Sequence, residues 1–187
     1  RAASKSAHAA DRPASAAVRE RFLTGIVDGR IVGAICVTEP DAGSDTSRLA
    51  TRIELDAARG EWVINGRKRY ISNAGVADAY IAYGVTDALA SSSAGLSAVV
   101  VPGGTAGLSF PRRYTFMGRR GCVVGEVAFD DCRVPADHML GLPGGGMRVM
   151  REMFNFERII LGGSGLGVAR SAFDIAKAHT QRRDAFG

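Results

Sequence analysis

The spacing of apolar residues changes twice along the 187-residue chain and predicts three regions of different secondary structure. From Ala14 to Asp28 apolar residues recur at helical spacing, and Gly29 can end that helix. From Ile31 to about Val134 short apolar stretches are separated by Gly, Pro, Ser and Asp, the pattern of an all-β sandwich or barrel. After Pro135 a glycine run leads into a second helical stretch that continues to Gly187.

Several short stretches of the middle region are strand candidates. They are Arg48 to Leu55, Trp62 to Ile64, Arg67 to Ser72, Ala79 to Val85, Leu96 to Val101 and Gly125 to Phe129. Asn65-Gly66 is the strongest short hairpin signal in the chain. It predicts that Arg67 to Ser72 returns along Trp62 to Ile64.

The last helical stretch carries an apolar stripe that it cannot bury alone. The stripe is marked by Met147, Met150, Met153, Phe154, Leu166, Ala169, Ala172, Phe173 and Ala176. We therefore expect partner helices or another subunit, and a chain that is part of a longer protein. Gly162 to Gly167 misses the G-x-G-x-x-G spacing and follows no strand, which favours a close approach of two helices over a dinucleotide loop.

Composition excludes several classes of protein. The chain is 46% hydrophobic and 23% charged with a net charge of +5, and no run approaches the roughly 18 apolar residues of a membrane span. Its basic residues are scattered, so we expect no nucleic acid partner, and the charge fits either a mildly basic surface or an anionic ligand. Three cysteines without metal-site spacing predict no metal and a reduced, cytoplasmic location. The three histidines form no metal-binding or reactive cluster and are expected to be surface or capping residues.

The segment Thr38 to Asp45 follows a buried apolar run and leaves two interpretations open. It is either a polar loop in which Gly43 allows an unusual backbone angle, or a ligand site in which Gly43 permits close approach. The residues alone do not decide between a structural loop and a binding loop.

Cys36 to Asp45 resembles the signature of the acyl-CoA dehydrogenase family. Further blocks resemble the family in the same order and spacing. They are Asn65 to Ala74, Met117 to Gly121, Phe129 to Pro135, Leu140 to Gly146, Phe156 to Ile159 and Arg183 to Gly187. The resemblance implies an α+β fold, in which a central β-barrel domain (31–138) lies between the end of an all-α N-terminal domain (1–30) and the start of an all-α C-terminal domain (139–187).

The resemblance also implies FAD as the cofactor and assigns residues to it. Thr38 would contact the pyrimidine side of the flavin, and the Ser72 hydroxyl would lie near N5. Tyr70 and Ser72 stand where the family often has Trp and Thr, and they keep a flat aromatic ring and a hydroxyl. The flavin-lining set is Ile35, Val37, Thr38, Tyr70 and Ser72. Arg183 and Phe186 would reach the flavin of a neighbouring subunit, which implies a homodimer or homotetramer.

The chemistry implied is α,β-dehydrogenation of an acyl-CoA or acyl-carrier thioester, with electrons passed to an electron-transfer flavoprotein or a similar acceptor. Glu157 resembles the base of the isovaleryl-CoA and long-chain branches, and its neighbours Phe154, Phe156 and Ile159 could bury it. A solvated glutamate, or an ion pair with Arg151, is one alternative. A base beyond residue 187, where many family members carry it, is another.

Gly43, Ser44, Asn155 and Arg158 form the implied substrate-facing set, and Arg158 would also position the helix. Two other functions remain open from the sequence: an oxidase or monooxygenase of the same fold, and a non-catalytic truncated or companion subunit.

Overall fold

A computed structural model describes residues 14–87 and 95–187 of the chain. The chain divides into two compact units, the first ending at Val149 and the second comprising Met150–Gly187. The first unit contains the middle region that was predicted to be β-structure. The part of the predicted N-terminal helical domain before residue 14, with His8, lies outside the described residues.

Seven strands form one sheet within the described residues. They are β1 (Gly33–Cys36), β2 (Arg52–Asp56), β3 (Glu61–Ser72), β4 (Ala79–Val85), β5 (Leu96–Pro102), β6 (Leu108–Ser109) and β7 (Val124–Pro135). Short 3-10 turns at Thr46–Arg48 and Ala136–His138 follow β1 and β7. The sequence predicted β4 with its observed bounds and β5 one residue short. The predicted β2 starts four residues too early, and the predicted β7 ends six residues too early.

The sheet is mixed and curled, with strand order β1-β4-β2-β3-β7-β6 and β5 paired to β4. β1 runs parallel to β4, and Arg52 of β2 meets Val85 of β4 in parallel, whereas the other pairs are antiparallel. The predicted β domain with helical segments is confirmed, but the closed barrel is a half-barrel. The end strands β1 and β6 do not pair with each other in the described part of the chain.

A cluster of buried residues from the strands forms the core of the first unit. Alternate residues of the long strands point into it, so that Trp62 and Ile64 of β3 pack with Val127 and Phe129 of β7 and with Tyr80 of β4. Because of this alternation, the side chains that point away from the core are the ones available to a site on the other face of the sheet.

The predicted hairpin at Asn65-Gly66 is wrong, because β3 continues through these residues without a turn. Gly66 is needed for close packing instead: a Cβ there would lie 2.8 Å from the Cα of Thr51. The pairing of β3 with β7 shifts register between Ile64 and Gly66, where β7 contains one extra residue, so the glycine lies opposite a β-bulge of β7. The true turn joins β2 to β3 and ends at Gly60, whose φ is +65°.

Helix α1 is continuous through an α-helical turn at Ala16–Val18, a π-helical section at Arg19–Leu23 and a second α-helical turn at Thr24–Val27. The Ser15 hydroxyl accepts a hydrogen bond from the Val18 amide at 3.1 Å and caps the start of this helix. Gly29 ends it with φ +72°, as predicted. His138 is buried, not at the surface as expected: its Nδ1 lies 2.8 Å from the Val100 carbonyl oxygen.

Helix α2 (Gly146–Thr180) is a single long helix that contains the glycine run from Gly162 to Gly167. A glycine-rich dinucleotide loop is therefore ruled out, as predicted. By length and composition alone α2 could cross a membrane, with a mean hydropathy of 1.2 over its most apolar window. The expectation that no stretch is apolar enough for this is wrong. A core helix of a helical domain meets the same criterion.

Candidate functional site

The candidate site begins where β1 ends and the segment Thr38 to Asp45 starts. β1 alternates, with Ile35 exposed on one face and Cys36 buried on the other. Val37 is also buried, so of the three predicted flavin-lining residues here, Ile35 and the half-buried Thr38 have accessible side chains. Burial raises the pKa of the Cys36 thiol to about 12, which makes it an inert packing residue between them.

A buried ion pair fixes the start of this loop. Lys68 Nζ donates to Glu39 Oε1 at 2.7 Å, and their side chains are 0% and 5% exposed. The same ammonium donates to the carbonyl oxygens of Val37 at 3.1 Å and Tyr83 at 2.5 Å. Three acceptors therefore satisfy the three protons of the Lys68 side chain.

The Glu39 carboxylate is equally well satisfied. The amides of Ala50 and Thr51 donate to Oε2 and Oε1 at 2.6 and 3.0 Å. Burial acts to raise the pKa of Glu39, but the Lys68 ammonium and these hydrogen bonds outweigh it and hold that pKa below its ordinary value. Glu39 thus joins the start of the loop to Lys68 of β3 and to the residues just before β2.

Sequence reasoning did not single out Glu39 or Lys68, although one signal pointed to them. Lys68 lies an even number of residues after Trp62 and Ile64 on β3, which are core residues. A lysine on the inward face of a strand requires a buried acidic partner. Of the three acidic residues in the family signature, the structure pairs Lys68 with Glu39, next to Thr38.

Tyr70 shows the backbone strain that often marks a functional site. Its φ is +58°, in a region that aromatic residues rarely adopt, and the pairing of β3 with β7 shifts register between Lys68 and Ile71. This bulge inserts one extra residue into β3 and turns the Tyr70 side chain outward, where it is 54% exposed. Ser72, at the end of β3, is exposed as well.

Two hydrogen bonds bring β1 and the bulged end of β3 together. The Arg69 amide donates to the Thr38 carbonyl at 2.8 Å, and the Asn73 side-chain amide donates to the Gly33 carbonyl at 3.0 Å. The backbone of Thr38 therefore lies beside the Tyr70–Ser72 segment. The structure brings these predicted cofactor residues into one region of the sheet.

The two predicted substrate residues of the loop, Gly43 and Ser44, are exposed. Directly after them Asp45 caps the short 3-10 turn, accepting from the Ser47 amide at 3.0 Å and from its hydroxyl at 2.5 Å. That turn forms one wall of an open cavity of about 460 Å³, which Arg52 and Glu54 of β2 also line. Ser44 precedes this turn by two residues in the sequence, and the cavity is large enough for part of a small molecule.

The remaining predicted residues lie on α2 and the tail that follows it. Arg158 donates to the Asn155 side chain at 2.9 Å, one turn apart, and its guanidinium lies 6.0 Å from the Phe154 ring. Glu157 is exposed and, within the described residues, has no hydrogen bond or ion pair, including with Arg151. Arg183 and Phe186 follow the end of α2 and are fully exposed.

The expected burial of Glu157 by its apolar neighbours is not found in this chain. Phe156 and Ile159 are 69% and 74% exposed. The second unit is a single helix with a short tail, so nothing within that unit can cover either side chain.

Comparisons with known proteins match both parts of the chain to one family. Residues 34–132 match the acyl-CoA dehydrogenase middle domain, and residues 144–187 match the acyl-CoA dehydrogenase C-terminal domain. The second match contains α2, which favours a helix packed within that domain over a membrane span. The resemblance found from the sequence motifs is thereby confirmed.

Two relatives and one solved structure show how far the similarity extends. The chain is 35% identical to acryloyl-CoA reductase (NADH) of Anaerotignum propionicum over 90% of its length and 43% of that protein. It is 36% identical to cyclohex-1-ene-1-carbonyl-CoA dehydrogenase of Geobacter metallireducens over 91% of its length and 44% of that protein. A crystal structure of an FAD-dependent dehydrogenase matches with a TM-score of 0.87 and 29% identity, over 93% of this chain and 46% of the other. The chain therefore spans less than half the length of these relatives, and it belongs to the acyl-CoA dehydrogenase family.

Proposed function

We propose that the full-length protein is an FAD-dependent enzyme that dehydrogenates an acyl thioester between its α and β carbons. The observation that carries this proposal is the exposed ring of Tyr70, held on a strained backbone beside Thr38 and Ser72. An exposed flat ring next to hydroxyl groups is suited to a planar, polar-edged ring system.

The residues present fit a flavin. Tyr70 offers an aromatic face, Ser72 and Thr38 offer hydroxyl groups, and Ile35 offers an exposed apolar surface on β1. The Glu39–Lys68 pair holds the loop that carries Thr38, so the donor positions are set before a ligand arrives. We assign Ile35, Val37, Thr38, Tyr70 and Ser72 to the cofactor, with Val37 acting through its backbone.

Bound FAD supplies the acceptor for the hydride that leaves the β carbon of the substrate. Glu157 is assigned as the base that takes the proton from the α carbon, so that two C–H bonds break and one C=C bond forms. Its carboxylate has no partner among the described residues, which leaves both oxygens available to accept a proton. Such a base has to be shielded from water, and in this protein the shield must come from outside α2.

We assign Gly43, Ser44, Asn155 and Arg158 to the thioester. Ser44 is exposed two residues before the 3-10 turn that lines the open cavity beside β2, and the Asn155–Arg158 hydrogen bond keeps both polar groups on one side of α2. The exposed Arg183 and Phe186 are assigned to the nucleotide part of the cofactor in a neighbouring subunit. A homodimer or homotetramer in the cytoplasm, passing electrons to an electron-transfer flavoprotein, completes this proposal.

One relative is named a reductase, which raises the opposite direction of the same chemistry as a second candidate. Anaerobic titration of the purified full-length protein distinguishes the two. We expect saturated acyl-CoA thioesters to bleach the visible flavin absorbance, and NADH alone to leave it unchanged. Bleaching by NADH but not by any saturated thioester would favour the reductase.

The same titration tests the other two alternatives. Reoxidation by air within one turnover would indicate an oxidase or monooxygenase, and a purified protein without bound flavin would indicate a companion subunit.

Replacement of the assigned base gives the sharpest test of the mechanism. We expect Glu157→Gln to lower the rate of flavin reduction by at least about 100-fold while FAD stays bound. Glu152→Gln is the matched control, because Glu152 is an exposed glutamate on the same helix. Equal rates for the two variants would move the base to another residue.

A further inference from the structure

Three aromatic rings, those of Tyr70, Tyr114 and Phe116, form a stack. The rings of Tyr70 and Tyr114 are 4.9 Å apart and inclined by 28°, and those of Tyr114 and Phe116 are 6.0 Å apart and inclined by 26°. Tyr114 is the middle ring and the least exposed of the three. It lies in the loop between β6 and β7.

The phenol group of Tyr114 is held at its far end. It donates to Glu126 Oε1 at 2.6 Å and accepts from Arg69 Nε at 3.1 Å. Arg69 precedes Tyr70, and its guanidinium lies 5.4 Å from the centre of the Tyr70 ring. One arginine therefore contacts both tyrosines, and Glu126 of β7 completes the network by an ion pair to Arg69 at 3.5 Å.

The backbone on either side of Tyr114 is fixed to β7 as well. The Tyr114 amide donates to the Val124 carbonyl at 2.8 Å, and the Glu126 amide donates to the Arg112 carbonyl at 2.7 Å. Gly125 makes this approach possible, because a Cβ there would lie 2.6 Å from the Arg112 carbonyl oxygen. The ring of Tyr114 consequently has neither backbone nor side-chain freedom.

We propose that Tyr114 is a positioning residue, which holds the ring of Tyr70 in the orientation that binds the flat ring system of the cofactor. The identity of that cofactor rests on the proposed function. The stacking of Tyr114 on Tyr70 is observed independently of it. A half-exposed side chain on a bulge would otherwise change rotamer freely. Tyr114 removes that freedom before the ligand binds, which lowers the entropy cost of binding.

The test uses the full-length protein and two readouts, one of which needs no flavin. With isotope-labelled tyrosine, these 187 residues contribute four tyrosine rings, and stacking on Tyr114 shifts the ring resonances of Tyr70. The second readout is FAD affinity and the visible circular dichroism of bound FAD. The variants are Tyr114→Leu, which removes the ring, and Tyr114→Phe, which keeps the ring but loses the Glu126 and Arg69 hydrogen bonds. Phe116→Leu is the control, because Phe116 contacts Tyr114 and not Tyr70.

We expect Tyr114→Leu to move the Tyr70 resonances to those of an unstacked ring and to weaken FAD binding by roughly three- to tenfold, the size of one aromatic pair. Tyr114→Phe should restore most of both signals, and Phe116→Leu should change neither. Unchanged Tyr70 resonances in Tyr114→Leu would overturn the positioning role whatever the protein binds. A shifted resonance in a protein that binds no FAD would instead overturn the proposed function and, with it, the flavin role of Tyr114.

Discussion

The two compact units of this chain differ in how firmly they hold the residues of the proposed site. In the sheet unit, Thr38, Tyr70 and Ser72 are held by a buried ion pair, a β-bulge and hydrogen bonds between β1 and β3. On α2, Glu157 and its neighbours are carried by a helix whose apolar residues are exposed. The cofactor side of the proposed site is preorganised within the chain, and the base side is not.

The two halves of the proposed site therefore differ in which groups fix the positions of their side chains. Sheet residues are positioned by groups that the chain itself supplies, so their geometry is a property of these 187 residues. Glu157 has a fixed place on a helix, but the apolar surroundings that a buried base needs are missing around it. Substitutions should therefore act on stability in the sheet unit and on assembly or activity in α2.

The largest expected effect comes from breaking the buried pair in the sheet unit. Lys68→Met leaves the Glu39 carboxylate buried without its counter-charge, and we expect the free energy of unfolding to fall by about 3–5 kcal/mol. Chemical denaturation followed by tryptophan fluorescence measures this, because Trp62 is the single tryptophan and lies in the core.

A double-mutant cycle separates the pair from simple loss of packing. Glu39→Gln with Lys68→Met removes both charges, so much of the loss should be recovered. Additive losses would show that the two side chains act independently, and the loop would then be held by the Ala50 and Thr51 amides alone.

The strands and the family motifs could be predicted from the sequence, because each depends on residues that are close together along the chain. The strands followed from apolar runs bounded by Gly, Pro and Asp, and β4 was predicted with its observed ends. Motif order led to the family, and with it to Thr38, Tyr70 and Ser72. These are local or motif-level signals, which one sequence can carry.

What failed depended on contacts between distant residues. Asn65-Gly66 has the composition of a turn, but it lies within a continuous strand, where Gly66 packs closely against Thr51 and faces a bulge in β7. The burial of Lys68 was visible in the strand alternation, whereas its pairing with Glu39, 29 positions away, was not. Tyr114 gave no signal, because its role arises only when β3 and β7 bring Tyr70 and Glu126 together.

Replacing a glycine by alanine should change the free energy of unfolding in opposite directions in the two units. Gly66→Ala places a Cβ 2.8 Å from the Thr51 Cα, and we expect it to destabilise the sheet unit by about 1–3 kcal/mol. Gly163→Ala meets nothing within 4 Å, so in the 187-residue chain it should stabilise α2 by up to about 1 kcal/mol. Thermal unfolding monitored by helical circular dichroism distinguishes them. A loss of stability from Gly163→Ala in the full-length protein would place another helix against this stretch.

Acid should affect the sheet unit through Glu39. Its pKa in the folded protein is lower than the ordinary value of 4.5, so its ionised form contributes stability above that pH. This contribution is lost as the pH falls from 4.5 through the lowered value. We expect the free energy of unfolding to drop less steeply on acidification in Glu39→Gln than in the native protein. Parallel curves would mean that other carboxylates dominate acid unfolding.

The smallest expected effect concerns the three cysteines, whose reactivity toward a thiol reagent measures how accessible the interior of the sheet unit is. Burial raises the pKa of Cys36 to about 12 and that of Cys132 to about 11, so neither forms a reactive thiolate at neutral pH. Cys122 is half-buried in the loop after Tyr114. We expect a thiol reagent to modify Cys122 alone in the native protein and all three after denaturation, with Cys122→Ser changing stability by no more than about 0.5 kcal/mol. Modification of Cys36 under native conditions would show that the sheet unit opens around Thr38, and the preorganised half of the site would then lose its physical basis.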